Sequence, residues 1–376
     1  MRFLTSGDSH GSQIAAIVEG VPAGIQVNEN CIRNELLRRN NCLGRSSRMG
    51  IEEENVKVIS GVRKGLSTGA PITIIIPNSE FQDLTLDQIS QIQGDMPVAR
   101  PGHADLSGML KFGFKEARNV VERSSARETA ARVAVGAIAK IFLKEFNVSF
   151  ASAVIQVGEV CSSKKITFKD ALKLNSSFPF PDKNKIKAAL NLIEDFKARG
   201  ETVGGKVWAS ARGVIPGVGC YTNWDKKLDA QLAYQLMSIP SVKGVLIGDI
   251  ENAISLEGSA AQDLFTTSSD SFYKRKTNFA GGIEGGVSNG EDIEAICFVK
   301  PLPSSKFSKE GLNLRTKKIA ETQIPRADTT SLAPVAVICE SLMAIVLMQN
   351  YLEKFGADCI DDIKKSFSLY KKRLRK

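Results

Sequence analysis

Histidine is almost missing from this sequence: only His10 and His103 occur in 376 residues. The seven cysteines are scattered and never form Cys-x-x-Cys, so the common zinc-binding spacings are excluded and no metal site is expected. Their odd number and scatter favour reduced thiols in a cytoplasmic protein. A Walker lysine loop and a G-x-G-x-x-G turn between a strand and a helix are also missing, which argues against the usual nucleotide-binding folds.

Long apolar runs are equally scarce. The N-terminal residues MRFLTSGDSHG contain no stretch that resembles a signal peptide. The segment from Leu332 to Met348 is long and apolar, but it contains Pro334 near its start and Glu340 near its middle. Because a charged residue at mid-span is costly in lipid, we predict a buried helix here and no membrane partner.

The positive charge is unevenly distributed. The net charge is +9, and seven of these nine charges fall in residues 363–376, which contain no acid. We interpret 363–376 as a basic, solvated and frayed C-terminal tail, and 1–362 as the folded domain. Since the domain itself is nearly neutral, nucleic acid is not an expected partner.

The pattern of apolar residues predicts mixed helices and strands. No Pro/Ser-rich linker or shift of composition divides the chain, so we predict a single large α+β domain. Predicted strands are 2–6, 13–18, 56–60, 71–76, 152–161, 203–214, 244–250 and 293–299. Predicted helices are 28–39, 183–198, 226–238 and 331–353, and a further apolar helix starts at Ser124–Ser125. The segment 77–105 is predicted to be loop-rich.

Arginine is concentrated where lysine is missing. Five arginines fall between residues 33 and 48 without one lysine. Guanidinium groups bind carboxylate and phosphate with paired hydrogen bonds, so Arg39, Arg45 and Arg48 are candidate anion ligands. Arg33 and Arg38 are better explained as a solvated helix face.

Other polar segments have the composition of an anion site. Residues 122–128 combine two serines and two arginines at a predicted helix start, where backbone N–H groups favour anions. Ser125 and Glu128 alone also satisfy a plain capping box, so that interpretation stays open. Similar candidates are Arg326 to Asp328, Lys300 to Ser304 and the glycine-rich segment 275–290. With two histidines able to transfer protons near neutrality, these residues predict a site for a multiply anionic small molecule.

Five long segments together resemble chorismate synthases, in the order of that family and from residue 6 to about 350. They are GDSHGSQIAAIVEGVP, RRNNCLGRSSRM, RPGHADLSGMLKFGFKEARNVVERSSARETAARVAVGAIAK, NFAGGIEGGVSNG and RADTTSLAPVAVICESLMAI. Pro240-Ser241 departs from the family pattern, since some members have Asn-Ala there, near the flavin.

The resemblance implies a fold, a reaction and an assembly. The fold would be a layered sandwich of antiparallel β-sheets and α-helices, assembled as a homotetramer. The reaction would be the anti-1,4-elimination of phosphate from 5-enolpyruvylshikimate 3-phosphate, which gives chorismate. It would require reduced FMN without net redox change. Some members reduce FMN with NADPH, but no separate nicotinamide domain is visible here, which favours an external reductant.

The resemblance also implies residue roles. His10 would protonate or hydrogen-bond the departing phosphate, His103 would face the flavin ring, and Asp328 would relay a proton at flavin N5. The substrate-binding residues would be Ser9, Arg39, Arg45, Arg48, Arg100, Arg127 and Arg326. The FMN-binding residues would be Arg123, Ser124, Ser125, Gly285, Gly286, Lys300, Ser304 and Arg326.

Two other functions are compatible with the residues alone. A metal-free lyase or isomerase acting on a sugar phosphate would use the same arginines and histidines without a flavin. A polyanion-binding protein would instead act through the basic tail.

Overall fold

The computed structural model describes residues 1–44, 55–175, 177–268, 271–305, 307, 310–322 and 328–374. Three predicted anion-binding residues, Arg45, Arg48 and Arg326, lie outside these ranges.

Eleven α-helices lie within the described ranges. In chain order they are α1 (Glu29–Asn40), α2 (Leu86–Gln93), α3 (Asp105–Phe112), α4 (Arg118–Ser124), α5 (Thr129–Lys144), α6 (Phe168–Ala171), α7 (Ile186–Arg199), α8 (Leu228–Met237), α9 (Ile250–Ala253), α10 (Leu332–Phe355) and α11 (Ile360–Leu374).

The described strands pair antiparallel throughout. They are β1 (Arg2–Ser6), β2 (Gln13–Glu19), β3 (Lys57–Val58), β4 (Val62–Arg63), β5 (Leu66–Ser67), β6 (Ile72–Pro77), β7 (Val98–Ala99), β8 (Ser149–Val157), β9 (Val160–Cys161), β10 (Gly205–Arg212), β11 (Val242–Ile247), β12 (Phe265–Ser268), β13 (Ser271–Arg275), β14 (Ile283–Glu284), β15 (Val287–Ser288), β16 (Ile293–Val299), β17 (Glu310–Asn313) and β18 (Lys318–Glu321). The two largest sheets have the orders β1-β2-β6-β3 and β11-β16-β10-β8-β9.

The core is a layer of helices between these two sheets. Strands β6 and β16 alternate between buried and less buried residues, as expected when one face of each sheet is covered. Helix α5 packs on β2 and β6, α10 packs on β8 and β10, and the two helices pack on each other. The prediction of a single α+β domain with layered antiparallel sheets is confirmed.

Close packing between α5 and α10 depends on Gly136. A Cβ atom at this position would overlap the backbone and the Cβ of Ser341. Glycine therefore permits a close approach of the two helices that a larger residue would prevent.

Helix α10 is long and apolar enough to cross a membrane. However, 94% of its most apolar 18-residue stretch is buried inside the protein. The predicted buried helix is thus confirmed. Its one acidic residue in this stretch, Glu340, is only 2% exposed.

Glu340 is the centre of a buried ion cluster. Arg38 donates to both of its carboxylate oxygens at 2.9 Å, Lys140 donates at 2.7 Å and the Ser152 hydroxyl at 2.6 Å. Burial alone would raise the pKa of Glu340, but Lys140 and Arg38 outweigh burial and lower that pKa, so the carboxylate stays charged. The cluster joins α1, α5, α10 and β8.

Arg38 therefore does not belong to a solvated helix face, and that expectation was wrong. Its guanidinium also binds Glu35 at 3.0 Å on its own helix. A partner 302 residues away decides its environment, which helical spacing could not reveal.

The loop-rich segment 77–105 contains a helix that the sequence pattern did not predict. Helix α2 begins after Thr85 with a full capping box, in which Thr85 Oγ1 accepts the Gln88 N–H and Gln88 Oε1 accepts the Thr85 N–H. The helix is short and has one buried residue, Ile89, so its apolar periodicity is weak.

Residues 363–374 of the predicted tail belong to α11 and are not frayed, which corrects the sequence interpretation for this part. Ile363 is 1% exposed, and the Phe367 ring lies 5.0 Å from that of Phe146 and 5.3 Å from that of Phe355. The lysines of this helix face away from an apolar side that packs on the core.

We predict that Glu340→Gln lowers the free energy of unfolding by about 3–5 kcal/mol, because Arg38 and Lys140 lose the charge that compensates them in a buried place. Urea denaturation at pH 7 measures this. Glu35→Gln is the matched control, since Glu35 contacts the same two cations but is 18% exposed. Equal losses in the two variants would contradict the central role of Glu340.

Removing residues 363–376 is expected to lower the free energy of unfolding by at least about 3 kcal/mol, because buried apolar side chains of α11 are lost. The double variant Lys371→Gln/Lys372→Gln changes only exposed charges and should stay within about 0.5 kcal/mol of the wild type. The same denaturation series tests both. A truncated chain as stable as the full one would show that α11 is not part of the core.

Candidate active site

The first group of predicted site residues lies in the turn between β1 and β2. Residues 7–11 match the letters G-x-S-x-G, but this turn joins two antiparallel strands and not a strand and a helix, so it is not a nucleophile elbow. Gly7 has a φ of +104°, and a Cβ there would overlap the backbone of Gln13. Glycine therefore permits the turn that places Ser9 and His10 beside α4.

Glu122 on α4 binds His10 at two points. Ring atom Nδ1 lies 3.0 and 3.1 Å from the two carboxylate oxygens, and the His10 backbone N–H donates to Oε2 at 2.8 Å. The Phe81 ring packs edge-on against the imidazole, with the ring centroids 5.9 Å apart. The side chain of His10 remains 27% exposed, so part of the ring can reach a ligand.

Glu122 is charged although it is only 7% exposed. Burial alone would raise its pKa, but hydrogen bonds from the ring and backbone of His10, together with Arg118, outweigh burial and lower the pKa of Glu122. Sequence reasoning missed Glu122 as a partner, because 112 residues separate it from His10.

The residues after Glu122 lie against the same turn. Ser9 Oγ donates to Ser125 Oγ at 3.0 Å, and Arg123 Nη2 donates to the carbonyl and hydroxyl oxygens of Thr5 at 2.8 and 2.7 Å. Ser124 is exposed. The structure therefore brings one set of predicted residues together, which we call the His10 cluster. It contains Ser9, His10, Glu122, Arg123, Ser124 and Ser125.

The capping box predicted at Ser125 is wrong in its second half. Ser125 Oγ accepts the Arg127 N–H at 3.3 Å, as a cap does. The Glu128 carboxylate does not return to Ser125 but binds the Thr5 hydroxyl at 2.8 Å and Arg132 at 2.8 Å. Tertiary partners thus compete successfully for Glu128, and a 3₁₀ turn precedes α5.

Arg39 supports this turn from the end of α1. It is 3% exposed, and its guanidinium donates to Thr129 Oγ1 at 3.1 Å, Asn40 Oδ1 at 2.8 Å and the Ala126 carbonyl at 3.1 Å. Arg127, another predicted anion ligand, lies within the same turn. Arg39 therefore connects the helical layer to the His10 cluster.

The second histidine lies in a separate polar group. His103 Nδ1 is 3.1 Å from the Pro101 carbonyl, and Nε2 is 2.7 Å from Ser304 Oγ. Because a carbonyl only accepts, the neutral ring carries its proton on Nδ1 and accepts the Ser304 hydroxyl proton at Nε2. Nearby, Arg100 binds the fully buried Asp105 through Nε and Nη2 at 2.8 and 3.1 Å. We call Arg100, His103, Asp105, Lys300 and Ser304 the His103 cluster.

Burial and two cations act on the imidazole of this cluster. Burial lowers the pKa of His103 below its usual 6.5, and the charges of Arg100 and Lys300 lower it further. His103 is therefore neutral at pH 7.

Lys300 is held in place from two directions. Its backbone N–H donates to the Ser241 carbonyl at 2.9 Å, and its ammonium lies 3.4 Å from the Gly102 carbonyl. Ser241 has a φ of +74°, an uncommon conformation for a residue with a side chain. The departure noted at Pro240-Ser241 thus lies next to a predicted site residue, and no pattern in the sequence predicts its unusual backbone conformation.

Asp328 lies at a junction of loops. The next residue, Thr329, donates its N–H to the Gly44 carbonyl at 2.8 Å and accepts the Val203 N–H at 2.9 Å. The neighbouring Thr202 hydroxyl binds the Leu302 carbonyl at 2.7 Å. These contacts place the half-buried Asp328 between the end of α1 and the loop of the His103 cluster.

The two clusters share a small apolar support. Met96, Met109 and Ala117 form a core between α3, which follows His103, and α4, which contains Glu122. The Ala117 N–H also donates to the Met96 carbonyl at 2.7 Å. Helices α3 and α4 therefore connect the segments that hold the two histidines, and among the described residues no direct contact joins the two rings.

Gly285 and Gly286 lie elsewhere. The Gly286 carbonyl accepts N–H groups of Cys220 and Leu228 at 3.2 and 2.9 Å, and a Cβ at Gly286 would overlap Lys227. Space is open around Gly285. Among the described contacts, none joins this turn to the His10 cluster or the His103 cluster.

We predict that His103 titrates with a midpoint below pH 6.5, because burial, Arg100 and Lys300 all disfavour the imidazolium. Proton NMR of the ring C2 protons measures this, and His103→Gln assigns the two signals. Lys300→Gln should raise the midpoint. A midpoint at or above 6.5 in the wild type would contradict the proposed electrostatics.

The comparisons with known proteins all indicate one family. A family model described as chorismate synthase matches residues 1–352. The chorismate synthase of Carboxydothermus hydrogenoformans is 41% identical, with 98% of each chain covered. That of Endomicrobium trichonymphae is 41% identical over 100% of this chain and 99% of the relative. A crystal structure of a chorismate synthase matches with a TM-score of 0.79 and 32% identity, and covers 99% of this chain and 98% of its own. The chain therefore belongs to the chorismate synthase family of lyases.

Proposed function

We propose that this lyase catalyses the anti-1,4-elimination of phosphate from 5-enolpyruvylshikimate 3-phosphate to chorismate, with reduced FMN required and no net redox change. The main support is the family match over residues 1–352, which contains both histidine clusters. The shared α3–α4 support, which connects the segments that hold the two histidines, agrees with a single site that uses both imidazoles.

Arginine side chains account for binding of the substrate, which has one phosphate and two carboxylates. The pair between Arg100 and Asp105 uses Nε and Nη2 of the guanidinium and not Nη1. Arg127 lies in the turn next to Ser125. The guanidinium of Arg39 donates to three protein groups, which supports a role in holding that turn. For Arg45, Arg48 and Arg326 the proposal rests on the family resemblance, and Ser9 completes the set through its hydroxyl in the His10 cluster.

The donor chemistry of the predicted flavin residues fits FMN. Hydroxyl groups and cations of Arg123, Ser124, Ser125, Lys300 and Ser304 match a phosphate monoester. Held by these residues, reduced FMN would supply electron density to the allylic system of the substrate and a base for its C6 proton. The assignment of Gly285 and Gly286 to the flavin site, like that of Arg326, rests on the resemblance.

The protein's own groups handle protons and orientation. His10 donates a hydrogen bond or a proton to an oxygen of the departing phosphate. His103 is neutral at pH 7, keeps its proton on Nδ1 and orients the Ser304 hydroxyl through Nε2. Asp328 would relay a proton between its carboxylate and flavin N5. It lies at the junction between the end of α1 and the loop of the His103 cluster.

The proposal extends to assembly, location and reductant. Three large aromatic side chains are 74–84% exposed before and on α8: Tyr221, Trp224 and Tyr234. Such an exposed group supports a contact between subunits of a homotetramer. Free cysteines support a cytoplasmic location. The missing nicotinamide fingerprint favours flavin that is reduced elsewhere over intrinsic reduction by NADPH.

We predict that His10→Ala lowers turnover at least tenfold while FMN still binds, since one acid–base group contributes about 10²–10⁴-fold. An anaerobic assay with dithionite-reduced FMN and the enolpyruvyl substrate measures chorismate formation and the transient flavin absorbance change. Lys371→Gln/Lys372→Gln serves as the control with unchanged turnover. Turnover by His10→Ala at the wild-type rate would remove His10 from the mechanism, and a wild type that turns over a phosphate ester without flavin would favour the flavin-free lyase.

A further inference from the structure

Glu122 touches His10 through both the ring and the backbone. We infer that Glu122 is a positioning residue that fixes the His10 imidazole with its proton on Nδ1, so that Nε2 is the ring atom presented to a ligand. The consequence for turnover rests on the proposed function. The position of the proton does not.

The charge of Glu122 decides the direction of the hydrogen bonds. Its lowered pKa keeps it ionised at neutral pH, and an ionised carboxylate only accepts. Both short contacts therefore require donors, which are the ring Nδ1–H and the backbone N–H of His10. Such charge-assisted bonds are among the strong ones in proteins.

Glu122 is itself held firmly. Arg118, one helical turn earlier, lies 3.6 Å from its carboxylate, and the Glu122 carbonyl accepts the Ser9 N–H at 3.0 Å. Side chain and main chain of Glu122 thus bind successive residues of the β1–β2 turn. The turn cannot shift relative to α4 without breaking both sets of bonds.

The ring has one favourable orientation in this place. Rotating the imidazole by half a turn would put a C–H group against the carboxylate and lose the bond to Nδ1. Phe81 packs against the ring edge, and within the described ranges Nε2 has no hydrogen-bond partner in the protein. Nε2 is therefore the atom left for a ligand on the exposed part of the side chain.

This arrangement allows His10 to act as a general acid through Nε2. When the imidazolium gives its Nε2 proton to an oxygen of the departing phosphate, the ring returns to the neutral form with Nδ1–H. Glu122 remains a carboxylate throughout and accepts the Nδ1–H bond both before and after the transfer, the logic known from histidine–carboxylate pairs in hydrolases.

The chain offers a direct test, because it has only two histidines. Long-range ¹H–¹⁵N correlation NMR of the flavin-free wild type reports which ring nitrogen carries the proton, and His103→Gln assigns the signals. We expect a protonated Nδ1 and a bare Nε2 in neutral His10. A proton on Nε2 with a bare Nδ1 would overturn the inference without any Glu122 variant.

Variants then test the link to turnover. We expect Glu122→Gln to lower the ratio of Nδ1–H to Nε2–H forms at least about tenfold and kcat by a similar factor, with a smaller change in KM. Glu122→Asp keeps the carboxylate and should recover part of both. Glu116→Gln is the matched control, since Glu116 precedes the same helix and accepts the Met96 N–H at 2.9 Å without touching a histidine.

Each outcome decides the inference. If Glu122→Gln keeps the wild-type proton position, or shifts it without loss of kcat, Glu122 is not a positioning residue for turnover. If Glu122→Gln does not fold, Glu122→Asp and the wild-type spectrum decide in its place. If the wild type shows Nδ1–H but converts no substrate, the proposed function fails and the assignment of the His10 proton stands.

Discussion

A single carboxylate in the most apolar helix organises this molecule. Glu340 binds Arg38, Lys140 and Ser152, and through them α10 is joined to α1, α5 and β8. Removing water from a buried carboxylate costs free energy, so Glu340 requires all of these partners together. The helices that carry the partners therefore have little freedom to move along one another. Because Arg39 follows Arg38, the same cluster sets where the next guanidinium meets the turn before α5. The ion cluster thus fixes both the helical layer and one wall of the candidate site.

The site combines loops with the ends of short helices on this rigid layer. Ser9, His10 and His103 lie in loops, whereas Glu122 and Arg123 lie on α4. Its two histidines follow different strands, and the α3–α4 support connects the segments that hold them. The loop residues are held by main-chain hydrogen bonds, such as those of Thr329 with Gly44 and Val203. Loops that carry polar groups on a rigid scaffold are a common way to present reactive side chains, since loops tolerate glycines and unusual backbone angles. The left-handed Ser241 beside Lys300 is one such place.

Much of the fold could be predicted where apolar spacing is strong. Strands β1 and β2 and helices α5 and α10 lie close to the predicted ranges. The two strands alternate in exposure, and the two helices are apolar over most of their length, so both patterns are strong in the sequence. Helix α2 was missed because it buries one residue, and the fraying of α11 was wrongly expected because its charges hid an apolar side. At the site, the sequence and its resemblance pointed to both histidines, but not to the partners that orient them. Glu122, Phe81 and Ser304 reach the rings across long stretches of chain, and no local pattern reveals such distant pairings.

The close approach at Gly136 has a consequence for the interpretation of damaged variants. Helix α5 begins directly after the turn that holds Ser125. A side chain at Gly136 would overlap Ser341 and push α5 away from α10. Overpacking of this kind costs about 1–3 kcal/mol, too little to unfold most proteins but enough to move a helix end. A substitution of Gly136 in the core would then lower activity in the same way as the loss of a reactive side chain. Genetic screens that score only growth would then place the lesion in the candidate site, although Gly136 lies about two helical turns inside α5.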